Sequence, residues 1–324
     1  MQRRDLIALI GGAVLGWPLN VRAQQPALPT IAFLDASVGT AAKLAAFYAG
    51  LKTEGFPKDR NVAVEYVSVD GDYTRLPALA ADLVNRQAAV IAAAGVPAAF
   101  AAKAATSTIP IVFEVGTDPV EAGLIASLNR PGGNVTGVTT AGVDREQKLI
   151  ELLHEVTPAA RAFALLVNPS NPAVAGQTRA ALAAAGTMGL QLNVLSAKSE
   201  TDFDTVFAAL AAAHAGGLAI AEDELFISRG AQLAALTLHH GVPAIFQHRE
   251  FVTAGGLMSY GSNVAEIYHQ VGAYSGLILK GGQAADLPVY QSTRTEFIVN
   301  LKTANSLGLS LPPALLDRAD EVLR

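Results

Sequence analysis

The residues best placed to do chemistry are polar residues and glycines at the ends of short apolar runs. They are Ser37, Gly95, Thr117, Asp118, Asn168, Asn171, Glu222, Asp223, Gln247 and Tyr260. Hydroxyls and helix starts suit a ligand carboxylate, and acids suit an ammonium. Each position also has a local alternative. Ser37 is placed either to bind a carboxylate or to cap a helix starting near Ala41. Gly95 either lets backbone approach a ligand or serves the turn. Thr117 and Asp118 precede Pro119, a first-turn pattern in which capping and anion binding coexist. Asn168 and Asn171 sit beside Pro169 and Pro172 and suit turns and amide recognition alike. Glu222 and Asp223 end an apolar run and either pair with an ammonium or cap a helix near Leu225. Arg249-Glu250 reads as an ion pair at a cleft rim. Phe246 and Tyr260 offer aromatic faces, with core packing the stronger expectation for Phe246. The mixture favours a zwitterion or small carboxylate-bearing molecule, an amino acid first.

No catalytic motif accompanies these residues. A GxGxxG after the first strand pattern, a P-loop and a GxSxG elbow are all missing. None of His154, His214, His239, His240, His248 and His269 falls in an HExxH pattern. A secreted enzyme on the same scaffold is the alternative function, expected without cofactor or metal. A transcription regulator would need a helix-turn-helix head, where this chain carries a different N-terminal pattern.

The elements that must position these residues alternate regularly. Strand-like runs cover 31–36, 62–69, 89–94, 110–115 and 135–140, then 161–167, 191–196, 217–221, 243–247 and 257–260. Most are continuously apolar, as strands buried on both faces must be. Helical spacing fills 41–54, 74–86, 171–188, 202–213, 227–240 and 263–280. The alternation predicts parallel sheets with helices on both faces. Ligands bind outside the carboxyl ends of such strands, where the residues above lie. Two five-strand sheets are more natural than one of ten. The predicted fold is therefore α/β, with two Rossmann-like lobes joined by a three-segment hinge. The first lobe is assigned 27–140 and 258–285, and the second 141–257 and 286–324, with crossings near Thr139, Gly256 and Asp286.

Composition narrows the setting. The chain has no cysteine, which excludes disulfides, thiolate metal sites, a cysteine nucleophile and a lipidated cysteine. The formal net charge is -5 without a basic cluster, so no nucleic-acid partner is expected. Arg3-Arg4, an apolar run from Leu6 to Leu19, and Val21-Arg22-Ala23 before Gln24 form an export-signal pattern. The run is too short to span a bilayer comfortably. Residues 1–23 are thus expected to be removed, leaving a periplasmic protein that starts at Gln24. The arginine pair fits the twin-arginine route, and an ordinary secretory signal remains the alternative.

Several stretches resemble the periplasmic substrate-binding proteins of ABC transporters, in the family with tryptophan- and tyrosine-type binding proteins. They include Tyr73-Thr74-Arg75-Leu76-Pro77, Ile109-Pro110-Ile111-Val112-Phe113 leading to Gly116-Thr117-Asp118-Pro119-Val120, and Asn129-Arg130-Pro131-Gly132-Gly133-Asn134. Further matches are Val167-Asn168-Pro169-Ser170-Asn171-Pro172, Gly255-Gly256-Leu257-Met258-Ser259-Tyr260-Gly261 and Asn300-Leu301-Lys302-Thr303-Ala304. The resemblance covers essentially the whole chain. It implies a type I periplasmic-binding fold, a small-molecule ligand, an ABC permease as inner-membrane partner and no catalysis. A monomer is expected.

Overall fold

The computed structural model describes residues 28–140 and 145–324. The export-signal reading of residues 1–23 and part of the first crossing lie outside the described residues.

All ten predicted strands form. The first sheet takes β1 (Thr30–Asp35), β2 (Ala63–Ser68), β3 (Val90–Ala94), β4 (Ile111–Val115) and β5 (Val135–Thr139). The second takes β6 (Ala162–Val167), β7 (Gln191–Ser196), β8 (Leu218–Ile220), β9 (Ala244–Phe246) and β10 (Met258–Ser262). Three further strands complete the set: β11 (Tyr290–Gln291), β12 (Thr295–Asn300) and β13 (Glu321–Leu323). The first sheet runs β11-β5-β4-β3-β1-β2 and the second β13-β12-β10-β9-β8-β6-β7. Pairing is parallel throughout the described ladders except between β10 and β12.

Each sheet is buried on both faces because its strands are apolar at odd and even positions alike. In the first sheet Ala32 and Leu34 join one core while Ile31 and Phe33 join the other. In the second, Phe163 and Leu165 face away from Ala164 and Leu166 in the same manner.

The crossings differ from the sequence reading. Residues 258–262, assigned to the first lobe, form β10, which pairs with β9 and β12 in the second sheet. The return to the first lobe begins only at helix Val264–Leu279, capped by Asn263 through the Glu266 N–H at 2.9 Å. Residues 290–291, assigned to the second lobe, pair with β5 of the first sheet. The second and third crossings therefore lie at residue 263 and between Gln291 and Thr295, rather than near Gly256 and Asp286. Sheet membership follows from long-range pairing, which the local apolar pattern does not encode.

Candidate functional site

The carboxyl ends of the parallel strands of both sheets open onto one cavity of about 230 Å³ between the lobes. From the first lobe it is lined by Ser37 after β1, Gly95 after β3, Glu114 and Gly116 at the end of β4, and Thr140 after β5. From the second come Glu222 after β8, Gln247 and His248 after β9, and Ser262 at the end of β10. Helix Ala41–Thr53 adds Lys43, helix Val264–Leu279 adds Ile267 and Tyr268, and helix Arg145–Val156 adds Arg145.

Charge is held in layers around this space. The buried Lys43 Nζ donates to Asp35 Oδ2 at 2.8 Å and to Ser37 Oγ at 2.9 Å. Its ammonium also lies 5.0 Å from the centre of the Tyr268 ring. Arg145 Nη1 donates to Glu222 Oε2 and to Gln247 Oε1, each at 3.0 Å, and Nη2 donates to the Thr140 carbonyl. Glu224 reaches across the cleft: the Val96 N–H donates to its Oε1 at 3.2 Å and the Tyr73 hydroxyl to its Oε2 at 3.0 Å. Burial, with Asp223 and Glu222 nearby, pushes the Glu224 carboxyl well above the usual range. Burial lowers His248 despite the neighbouring Glu222, so its imidazole is held neutral near pH 7. Glu114 Oε2 accepts from the Tyr268 hydroxyl at 2.9 Å. Burial and Glu222 push the Glu114 carboxyl up to about 7.

Four buried polar atoms at this cavity have no hydrogen-bond partner among the described residues: Thr140 Oγ1, Gln247 Nε2, His248 Nε2 and Ser262 Oγ. An unpaired buried polar group costs about 1–3 kcal/mol. All four share this one cavity.

The residues expected from sequence divide between this cavity and its supports. Ser37, Gly95, Glu222 and Gln247 line it. Ser37 does not cap the helix at Ala41; Thr40 does, through the Lys43 N–H at 3.1 Å. Thr117 stands outside the lining, its carbonyl accepting from Thr139 Oγ1 at 2.8 Å. Asp118 is exposed and accepts from the Val120 and Glu121 N–H groups at 2.7 and 3.1 Å. Asp223 caps helix Glu224–Ser228 through the Leu225 N–H at 3.0 Å. Asn168 and Asn171 sit behind it, their amides donating to Asp223 at 3.1 and 2.8 Å. Tyr260 packs edge-on against Phe297 in the second lobe's core. Phe246 is fully buried in the core on the other face of that sheet. Arg249 pairs with Glu321 at 2.6 Å rather than with Glu250, which lines the cavity instead.

The sequence reading missed Lys43, Glu114, Arg145, Glu224, Ser262 and Tyr268. Glu114 carried a readable signal, being the charged residue in the otherwise apolar β4. Arg145 and Glu224 carried none, since their partners are 77 and 128 residues distant.

Among the described residues no group of His, Asp and Glu is arranged to hold a metal ion, and no helix is long and apolar enough to cross a membrane. The chain is 26% identical over 263 residues to the tyrosine-binding protein of Clostridioides difficile strain R20291, covering 81% of this chain and 75% of that protein. It superposes with a TM-score of 0.81 on the ABC domain from Streptococcus pneumoniae in complex with L-Trp, at 23% identity, covering 91% of this chain and 100% of that one. It also superposes with a TM-score of 0.64 on the ligand-free, open structure of a Clostridium difficile substrate-binding protein with adhesive properties, at 25% identity, covering 91% and 99%. The family model for ABC transporter substrate binding proteins matches residues 33–323. With two parallel-dominated sheets meeting at an interlobe cavity, this chain belongs to the ABC transporter substrate-binding proteins of type I periplasmic-binding fold.

Proposed function

We propose that the protein captures a single amino acid between its lobes and delivers it to an ABC permease. The observation that carries this is the set of four unpartnered polar atoms, drawn from both lobes and facing one cavity. Gln247 Nε2 donates, the Thr140 and Ser262 hydroxyls donate or accept, and a neutral imidazole does either. Such a set suits a carboxylate without placing a full charge beside it. The opposite requirement, an ammonium, is met by the surplus of buried carboxylates over the paired Lys43 and Arg145. A cavity of about 230 Å³ lies below the ~300 Å³ at which drug-sized pockets begin, so it holds one small molecule. Val38, Ile227, Val264 and Ile267 give it an apolar wall, and an aromatic side chain gains most from such a surface. Tyrosine and tryptophan, which the two similar proteins bind, are the first ligands to try. The protein acts as a periplasmic monomer, released from its export signal after Ala23.

Calorimetric titration of the chain starting at Gln24 tests this. We expect saturable binding of one amino acid per chain, with the deaminated analogue weaker by about tenfold or more, about 1.4 kcal/mol. Failure of every common amino acid to bind contradicts the proposal.

A further inference from the structure

Glu250 in the cavity lining is exposed to solvent, and Glu114 is held differently from the remaining carboxylates, Asp35, Glu222 and Glu224. Asp35 has Lys43 at 2.8 Å and Glu222 has Arg145 at 3.0 Å. Glu224 has a donor on each oxygen, from Val96 and Tyr73. Glu114 accepts one hydrogen bond, from Tyr268, and has no cation within ion-pairing distance among the described residues. It also lines the cavity, and its second oxygen has no hydrogen-bond partner among the described residues.

We propose that Glu114 reads the ligand's ammonium group, and that capturing an amine-bearing ligand expels a proton from this carboxyl to solvent. This rests on the amino-acid reading of the cavity above. The balance is simple: the neutral acid gives up its proton, the resulting carboxylate pairs with the arriving ammonium, and the proton leaves to buffer. No other charge changes. The charged and titratable groups facing Glu114 are Lys43 on helix Ala41–Thr53, Asp35 on β1, Tyr268 on helix Val264–Leu279, and Glu222 from the second lobe. Lys43 and Asp35 hold each other, and Arg145 holds Glu222. Tyr268 is pushed well above its ordinary range by burial and stays a donor. Glu224 is also pushed well above the usual carboxylate range by burial and by Asp223 and Glu222, but each of its oxygens already accepts a hydrogen bond. Glu114, at about 7, is the group poised to exchange.

The linkage has a definite sign. Below about pH 7 the carboxyl must lose a proton for the ammonium to bind, so affinity climbs as pH rises, by up to about tenfold per unit. Above about pH 7 the proton is already gone and affinity levels off.

The test is calorimetry of the chain starting at Gln24, with the tightest amino acid and its deaminated analogue, in two buffers of different protonation enthalpy. At about pH 6 we expect release of close to one proton per amino acid bound, falling toward zero by about pH 8.5. The analogue releases none. In E114Q the linked proton vanishes, and at about pH 8.5 the amino acid binds about tenfold or more weakly while the analogue is barely affected. Y268F removes the hydrogen bond that favours the charged carboxyl, so its pH profile shifts upward. That variant and the unaltered chain keep the test decisive if E114Q does not fold. Proton release that persists in E114Q, or equal losses for both ligands, overturns the assignment to Glu114. Tight binding with no linked proton in the unaltered chain overturns the inference while leaving amino-acid capture standing. Binding of no amino acid at all removes both.

Discussion

Gly116 decides how near the second lobe's chemistry comes to the first. A Cβ there would stand 2.0 Å from Glu222 Oε2, and one at Gly95 would stand 2.2 Å from Glu224 Oε1. Gly95 also has φ of 93°, so substituting it strains the backbone whatever the lobes do. Gly116 lacks that complication and gives the cleaner variant. In G116A either Glu222 swings off Arg145 or the lobes stay further apart, and both outcomes damage the cavity. We expect ligand affinity to fall about tenfold while urea unfolding without ligand changes by less than about 1 kcal/mol. Unchanged affinity by calorimetry would show that this close approach is not needed. At this scale part of the cavity lining was legible. Ser37, Gly95, Glu222 and Gln247 were found because each ends a strand of a parallel sheet, where ligands gather. Thr117, one residue past Gly116, shows the limit: a strand end is located to within a residue, but which side chain points inward is not. Asn168, Asn171 and Asp223 show another, since a turn amide, a helix cap and a ligand contact use the same residue types.

Helix Glu224–Ser228 carries Glu224 across the cleft, and its start depends on Asp223. That carboxylate accepts from Leu225 N–H, from the Asn168 and Asn171 amides, and from the Tyr73 hydroxyl at 2.7 Å. D223A removes the cap and leaves two buried amides short of an acceptor. We expect a loss of about 1–3 kcal/mol in urea unfolding, from the cap and the orphaned donors together. A loss within experimental error would mean that the asparagines and the helix start find other partners. The strands of both sheets were legible because a short, continuous apolar run between turn signals fits a buried strand and is too short for a buried helix. The short strands β11 and β13 were not, since two or three residues carry no period. The placing of β10 was not either: Met258–Ser262 reads the same whether it pairs in one sheet or the other, and β12, a partner far along the chain, decides it.

The two lobes meet through contacts that no local sequence pattern announces. Tyr73 bridges to Asp223 and Glu224, the Val38 N–H donates to Ser228 Oγ at 3.0 Å, and Arg229 pairs with Asp70 at 3.0 Å. All of them join one lobe to the other, and Val38, Glu224 and Ser228 also line the cavity. A ligand seated there would touch groups from both lobes, and its differential contacts would favour an arrangement that brings them together. The central claim is that ligand and closure are linked, and small-angle X-ray scattering of the chain starting at Gln24 tests it most directly. With saturating amino acid we expect a smaller radius of gyration than without it, and no such change with a non-binding amino acid. A scattering profile unchanged at proven saturation would contradict capture by closure of the two lobes.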